Sequence, residues 1–585
     1  MPTTADILID TILDWGVDTI FGLPGDGING LMETIRKRQD EGKVRFIQVR
    51  HEESAALAAC GYAKFTGKLG VCLATSGPGG IHLLNGLYDA KLDGAPVLAI
   101  TGLQYHDIVG THTQQDVALD KLFIDVARYN ERVMGAAHAR NVAELACRTA
   151  FSYRCVSHIT VPVDLQDQEL KEDERSKRNK PEHVSSVWGK AVLIPANDDL
   201  RKAADVLNAG SNVAILAGQG ALQAGDQLEQ VAEILGAPII KALLGKSCVP
   251  DDSPYTTGGL GLLGTEPSEE VINSCDTLLI VGSSFPYIEF YPKGGSARGV
   301  QIDIDASRIG LRYSVEVGLV GDTRPALEAL MPLLQRKTDR SFLEKAQKGM
   351  KEWNETMVTR GTAPGKPMKP QVIAHELGKR LPANAIVTSD SGTITTWWAR
   401  HIPSKRGQLH SCSGNLATMA CGFPYAIGAQ VAFPDRPVVA FVGDGGFSML
   451  MAELATCVKY QLPVKVVVIK NNFLGQIMWE QMVFLGNPEF ACDLQPIDFA
   501  AAARAFGVAG YTVEDPSHVG HILDEALAHK GPALIEAVVD PYTPPLPAKI
   551  TTEQALKFAE SLARGTPDRA KIVKSIATEK VRELV

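Results

Sequence analysis

The stretch from Val442 to Asn472, VGDGGFSMLMAELATCVKYQLPVKVVVIKNN, restricts the chain to one kind of architecture. An unbroken apolar run, Val438 to Val442, has the length and composition of a strand buried on both faces. Gly443, Asp444, Gly445 and Gly446 then turn the chain into a segment of helical periodicity. A second apolar run, Val464 to Ile469, follows and ends in Asn471 and Asn472. Strand, helix and strand in that order make a parallel unit whose two strand ends reach the same sheet edge. Asp444 and Asn471 are therefore expected side by side, at the edge where open α/β sheets bind ligands.

Similar units run along all 585 residues, a length that implies several cores. DTIFGLPG, VRFIQV, VCLATSGPGG and APVLAITG place residues 1–180 in a first α/β domain, and VAILAGQGA, TLLIVGSS and GVQIDID place 190–335 in a second. Residues 366–545 form a third, and 546–585 a helical tail. The expected class is thus α/β, with three doubly wound parallel sheets. Two charged or Pro- and Gly-rich runs, Lys171–Pro181 and Arg336–Pro370, read as linkers. A net charge of −9, with no concentration of Lys and Arg, excludes a nucleic-acid partner. The ten cysteines show no CxxC spacing, and many sit in apolar runs, as buried thiols of a reducing compartment do. The N-terminal stretch lacks the basic and apolar blocks of a signal peptide, and no run is long enough to span a bilayer, so a cytoplasmic location is expected.

A carboxylate beside a carboxamide suits a hard cation. Mg²⁺ takes about six oxygens and is usually held by one or two protein groups together with phosphate oxygens. The glycines after Val442 let backbone N–H groups approach a diphosphate that side chains would crowd.

With this motif the chain resembles the thiamine-diphosphate enzymes of the pyruvate oxidase and acetolactate synthase family, and most of all the pyruvate oxidases of the quinone-linked type. The resemblance implies Asp444, Asn471 and the carbonyl of Phe473 as Mg²⁺ ligands, and Gly392, Thr393, Gly443, Gly445 and Gly446 around the diphosphate. Glu52, at the head of the alanine-rich stretch HEESAALAACGYAKFTGK, matches the glutamate that the family sets against N1′ of the aminopyrimidine. Proton exchange there gives the imino form whose N4′ removes the thiazolium C2 proton, and the thiazolium then acts as electron sink. Gly27, Ser76, His82 and Asn85 are expected on the pyrimidine side. Met419 is expected under the bend of the cofactor, the carbonyl of Ala417 facing N4′, and Ile477 against the bound cofactor. Many family members carry glycine at the position of Ala417. Because Glu52 and Asp444 lie in different domains, the family builds each site between two chains, so a homodimer at least, and usually a tetramer, is implied.

The middle unit carries GQG at 218–220, GGLGLLG at 258–264, GSSFPY at 282–287, QIDID at 301–305 and VGD at 320–322. Glycines allow close backbone approach to a cofactor, and Asp303 or Asp305 at a strand end could accept a ribose hydroxyl. These segments resemble those that hold FAD in pyruvate oxidase, which implies Gly218, Gly220, Gly259, Leu260, Gly261, Leu262, Gly282, Ser283, Ser284, Phe285, Pro286, Asp303 and Asp322 as FAD contacts. Glu480 matches an oxidase glutamate where acetolactate synthases carry tryptophan, and Gln114 matches at the expected substrate position. Thr113 and Gln476 depart from the pattern by standing where oxidases have aromatics, which makes the pocket wider and wetter. The implied activity is thiamine-diphosphate-, Mg²⁺- and FAD-dependent oxidative decarboxylation of a 2-oxo acid, pyruvate by resemblance, with oxygen or a quinone as acceptor. The alternatives are an acetolactate synthase-like carboligase with a non-redox flavin, and a catalytically idle scaffold, against which intact Glu52, Asp444 and Asn471 argue.

The tail, residues 551–585, has seven Lys or Arg against five Asp or Glu. Ile572, Val573, Ile576, Val581 and Leu584 recur at helical spacing opposite Lys571, Lys574 and Arg582. Such a stripe either docks on the body or lies on a membrane surface, which quinone-linked oxidases reach through this segment at the inner face of the membrane.

Overall fold

The computed structural model describes residues 1–171, 175–545 and 552–583, with side chains to 576 in the last of these. Among the described residues there are three sheets of six parallel strands each. In the first, the spatial order is Arg45–Gln48, Thr19–Gly22, Gly70–Ala74, Val97–Leu103, Val156–Pro162, Tyr129–Arg132. In the third it is Leu409–Ser411, Ile386–Ser389, Val438–Gly443, Lys465–Lys470, Ala533–Val538, Ala509–Val513. Both follow the order 2-1-3-4-6-5. The middle sheet differs. Its strands run Thr256–Gly259, Ile239–Lys241, Val213–Ala217, Thr277–Val281, Arg298–Asp303, Val317–Val320, which is the order 3-2-1-4-5-6 of dinucleotide-binding sheets.

Burial on both faces explains the long apolar runs. In the strand Val438–Gly443, Val439 and Phe441 enter one core, while Val438, Ala440 and Val442 enter the core on the opposite face. Its register with the next strand, Gly443 opposite Ile469, brings the two following turns level. The alanine-rich helix Glu52–Thr66 starts after His51, whose Nδ1 accepts the Glu53 N–H at 3.2 Å, and stops at Gly67 with φ +71°. Its small residues have a clear purpose. A Cβ on Gly61 would come within 2.8 Å of the Cα of Tyr425, so the helix lies almost backbone to backbone on the helix Gly422–Ala432 of the third unit.

The segment Arg336–Pro370 is not an open linker. It contains the helix Ser341–Gly361, with Leu343, Ala346, Trp353 and Met357 buried. These four apolar positions are spaced among charges, and the dense charge hid the stripe that packs the helix down.

The tail helices Thr552–Ala563 and Arg569–Glu583 dock on the third unit. Ile572 is fully buried among Met478, Trp479, Met482 and Tyr542, with Ile576 and Phe558 packed against the same cluster. The expected apolar stripe therefore faces the body as far as Ile576, while Val573 is exposed. The side chains of Val581 and Arg582, and all of Leu584, lie outside the described residues. Among the described residues no helix is long and apolar enough to cross a membrane, and all ten cysteines are free thiols, nine of them buried. Ile572→Ala is expected to loosen the tail by about 2–5 kcal/mol. Faster limited proteolysis of the tail, with the main unfolding transition little changed, is the outcome to look for.

Candidate active site

The turns after two neighbouring strands of the third sheet build the centre of the site. After Ile386–Ser389 come Asp390, Ser391 and Gly392, and the helix Thr393–His401 starts there. Gly392 has φ +117° and open space where a Cβ would stand, and this helix start, which has no side-chain cap, lines the cavity. After Val438–Gly443 the helix Asp444–Leu450 begins at once. The Asp444 carboxylate accepts the N–H groups of Gly445 at 2.9 Å, Asn471 at 3.1 Å and Asn472 at 2.6 Å. Asp444 and Asn471 thus meet as the strand–helix–strand reading requires. Burial pushes the Asp444 carboxyl up to about 6, against the pull of those three N–H groups. A nearby cation would favour its charged form. The Asn471 Oδ1 accepts the Phe473 N–H at 3.0 Å, and Asn472 takes the left-handed region at φ +58°, which asparagine tolerates.

The donor set around Asp444, Asn471 and the Phe473 carbonyl is oxygen only, which fits a hard divalent cation. Two helix starts within one cavity fit a diphosphate. Behind them lies Asp390, a residue the sequence reading passed over. Its Oδ1 accepts the Ser391 N–H at 3.0 Å, its Oδ2 is buried without a partner, and burial raises its carboxyl to about 6. Gly446 must be glycine because a Cβ there would collide with that Oδ2.

Met419 and Ala417 line the same cavity. The Met419 Cε lies 3.3 Å from where a Cβ on Gly445 would stand, so the thioether covers the glycine turn. Ala417 sits at φ +53°, a left-handed conformation that costs a residue with a Cβ about 1–2 kcal/mol. Gln476, Ile477 and Glu480 close the wall. The Gln476 Nε2 donates to the Glu480 Oε1 at 2.9 Å, at the point where the helix Gly475–Trp479 widens into a π-helical turn, Glu480–Phe484.

One cavity of about 970 Å³ continues from these residues into the middle unit. There it is lined by Gly218, Gly220, Gly259, Leu260, Leu262, Gly282, Ser283, Ser284, Phe285, Pro286, Asp303 and Asp322. Gly218 and Gly220 pack against Gly282 at the point where the strand order reverses, so these glycines are required by backbone-to-backbone contact as well. Gly259 is not tightly packed: a Cβ placed on it would make only ordinary contacts, the nearest at 3.6 Å to the Cα of Gly264. Asp303 is buried, which raises its carboxyl, and its Oδ1 accepts the Asp305 N–H at 3.0 Å. A glycine-lined switch point with a buried carboxyl at a strand end fits a dinucleotide. Gly261 is the exception: it lies outside the lining, and at φ +84° it turns toward the ring of Phe285.

The first unit holds its expected residues elsewhere. Glu52 is 7% exposed, and its Oε2 lies 2.9 Å from Nδ1 of His82. Ser76 donates to Gln115 at 2.7 Å, so the neighbour of Gln114 is the one engaged, while Gln114 itself is exposed. Gly27 is buried against Ser76, and its N–H donates to the Thr75 hydroxyl at 3.1 Å. Asn85 donates to Glu53 at 2.6 Å and to Thr418 at 2.9 Å, which engages its amide within the protein. None of Gly27, Glu52, Ser76, His82, Asn85 or Gln114 lines the large cavity of the same chain. A further residue went unnoticed in the sequence: Glu453, fully buried, accepts the N–H groups of Arg50 at 2.9 Å and His51 at 3.2 Å, and so holds the start of the Glu52 helix from the third unit. An acid in the short turn Met451–Glu453, within the otherwise apolar stretch that follows Asp444, was the available signal.

Three family models match in succession: the thiamine pyrophosphate enzyme N-terminal TPP-binding domain over residues 2–122, the central domain over 200–330 and the C-terminal TPP-binding domain over 390–537. The chain belongs to the thiamine pyrophosphate enzyme family. YdaP of Bacillus subtilis (strain 168), whose name specifies thiamine pyrophosphate and no reaction, is 39% identical over 96% of both chains. The pyruvate oxidase of Lactiplantibacillus plantarum is 31% identical over 95% of this chain and 91% of its own. The acetolactate synthase isozyme 2 large subunit of Escherichia coli (strain K12) is 32% identical over 90% of this chain and 93% of its own. In this thiamine pyrophosphate enzyme the two models described as TPP-binding domains fall on the first and third units, whose sheets share one strand order.

Proposed function

We propose that this thiamine pyrophosphate enzyme catalyses the oxidative decarboxylation of a 2-oxo acid, pyruvate in the first instance, with Mg²⁺ and FAD as its other cofactors. The observation that carries the reading is the single cavity that joins the Asp444 turn to the glycine loops of the middle unit, since it gives both cofactors one chamber. When bound, thiamine diphosphate supplies the electron sink for decarboxylation and FAD takes up the electrons. Asp444, Asn471 and the Phe473 carbonyl would hold the metal. Gly392, Thr393, Gly443, Gly445 and Gly446 would present backbone N–H groups to the diphosphate, and Met419 and Ile477 would support the rings. Glu52, with His82 beside it, would hold and release the proton at the pyrimidine nitrogen. As Glu52 lies outside the cavity of its own chain, a second copy would bring it there, in a homodimer or a tetramer of two such pairs. The same assignment groups the chain into units 1–180, 190–335 and 366–545, with the tail 546–585 closing on the last.

The deciding experiment is anaerobic mixing of the purified yellow protein with a panel of 2-oxo acids. Bleaching of the flavin by pyruvate is expected. Acetolactate formed while the colour persists would instead establish the carboligase reading, which the similarity to acetolactate synthase favours.

Gln476, standing where oxidases have an aromatic, puts a hydrogen-bonding group in that wall and donates to Glu480, the position that matches them. Gln476→Phe is expected to shift kcat/KM by about tenfold toward pyruvate over a 2-oxo acid with a hydroxylated side chain, the size of effect that one pocket contact gives. A preference that does not move would remove Gln476 from the substrate wall.

A further inference from the structure

The helix Leu84–Asp93 of the first unit presents Asn85, Asp89 and Asp93 one turn apart, on one face. Each of the three grips the loop Ser413–Thr418 of the third unit. Asp93 accepts the Gly414 N–H at 2.9 Å through Oδ2, and through Oδ1 the Asn415 N–H at 2.9 Å and side-chain amide at 2.7 Å. Asp89 accepts the Ser413 hydroxyl at 2.7 Å, and the same Ser413 oxygen accepts the Thr418 N–H at 3.0 Å. Asn85 holds the Thr418 hydroxyl. Lys64, near the far end of the Glu52 helix, donates to Asp93 at 2.6 Å and to the Tyr425 hydroxyl, which in turn bonds Asp89. The side chains of Lys64 and Asp93 are 4% and 0% exposed. Burying such a group of charges is costly, and an apolar cluster of the same volume would stabilise at least as well. What the charges do supply is direction. The loop they hold has Ala417 in the left-handed region at φ +53°, and Ala420, just beyond it, at φ +68°, a strain that persists only where the surroundings over-determine it.

We propose that Asp93, supported by Asp89 and Lys64, is a positioning residue that fixes the Ser413–Met419 loop so that the Ala417 carbonyl and Met419 meet the cofactor in the geometry its activation needs. The inference rests on the reading that thiamine diphosphate binds beside this loop, and it assigns the first unit of each chain a task separate from that of Glu52. Burial raises the Asp93 carboxyl, but Lys64 and the Gly414 and Asn415 N–H groups outweigh it and hold it below the usual carboxylate range, consistent with a charged clamp.

The test uses the full-length chain with Asp93→Ala, Asp93→Asn and Ser413→Ala, loaded with thiamine diphosphate and Mg²⁺. Calorimetry gives the cofactor affinity, and NMR after acid quench gives the rate at which the C2 proton of the bound cofactor exchanges for solvent deuterium without substrate. Affinity is expected to stay within about threefold, because the metal and diphosphate groups are untouched, while C2 exchange falls by about 10- to 100-fold in Asp93→Ala, the cost of a misplacement on the order of 1 Å. Asp93→Asn keeps an oxygen for the Asn415 N–H and is expected to recover most of the rate. Wild-type exchange in folded Asp93→Ala and Ser413→Ala, or a fall in exchange matched by an equal fall in affinity, overturns the proposal. If Asp93→Ala does not fold, Ser413→Ala decides by the same criteria. If the wild-type protein itself binds no cofactor, the thiamine reading fails, and amide hydrogen exchange at Gly414, Asn415 and Thr418 decides the clamp alone: protection unchanged by Asp93→Ala or Ser413→Ala overturns it.

Discussion

Asp444→Ala is expected to lower the affinity for Mg²⁺ in the presence of thiamine diphosphate by about 10³-fold or more. A carboxylate in contact with a dication at an effective dielectric near 20 contributes several kcal/mol, and no second carboxylate belongs to the expected ligand set. The substitution also strands the N–H groups of Gly445, Asn471 and Asn472, which the carboxylate accepts at 2.6–3.1 Å. Each buried donor left alone costs about 1–3 kcal/mol, so the third unit loses stability as well. Asp444→Asn separates the two effects, because the amide oxygen still accepts N–H groups but carries no charge. Calorimetric titration with Mg²⁺ should find Asp444→Asn folded and nearly as weak a binder as Asp444→Ala. Wild-type affinity in the asparagine variant would remove Asp444 from the metal site.

Glu52→Gln is expected to leave cofactor binding nearly unchanged while slowing C2 deprotonation and turnover by about 10³-fold, within the range for a lost acid–base group. Glutamine has the same shape and can keep the contact with His82, now 2.9 Å from the carboxylate, so the fold around position 52 should survive. Retained turnover would refute the role. Since Glu52 does not line the large cavity of its own chain, a second outcome follows. Co-expressed Glu52→Gln and Asp444→Ala chains should regain activity that neither shows alone, because a mixed dimer contains one site with both residues intact. Absence of rescue in isolated mixed dimers would place Glu52 and Asp444 in the service of the same chain.

Much of the site could be read from the chain because it is made of strand ends. The apolar runs before Asp444 and Asn471 identify two parallel strands, and parallel strands joined by a helix have one possible meeting edge, so the pairing of the two residues needed no coordinates. The middle unit followed similarly, its glycines marking turns where backbones approach closely. What remained hidden was long-range. Glu453 lies 403 residues from Arg50, and Asp93 lies 322 from Asn415, separations over which periodicity carries no information. The helix Ser341–Gly361 was missed for a related reason: charge on its solvent face outweighed four buried apolar positions whose partners belong to other segments.

The amino-acid sequence by itself determined the three parallel sheets, the order of strand and turn along each, and the meeting of Asp444 with Asn471 at the edge of the third, because hydrophobic period and turn chemistry act over a few residues. Only the tertiary structure decided that the large cavity of the third unit extends into the middle unit, that Asn85 holds the Ser413–Thr418 loop, and that Glu52 does not line that cavity in its own chain. These depend on which faces of separate domains come into contact, and that choice is made by packing summed over the whole molecule.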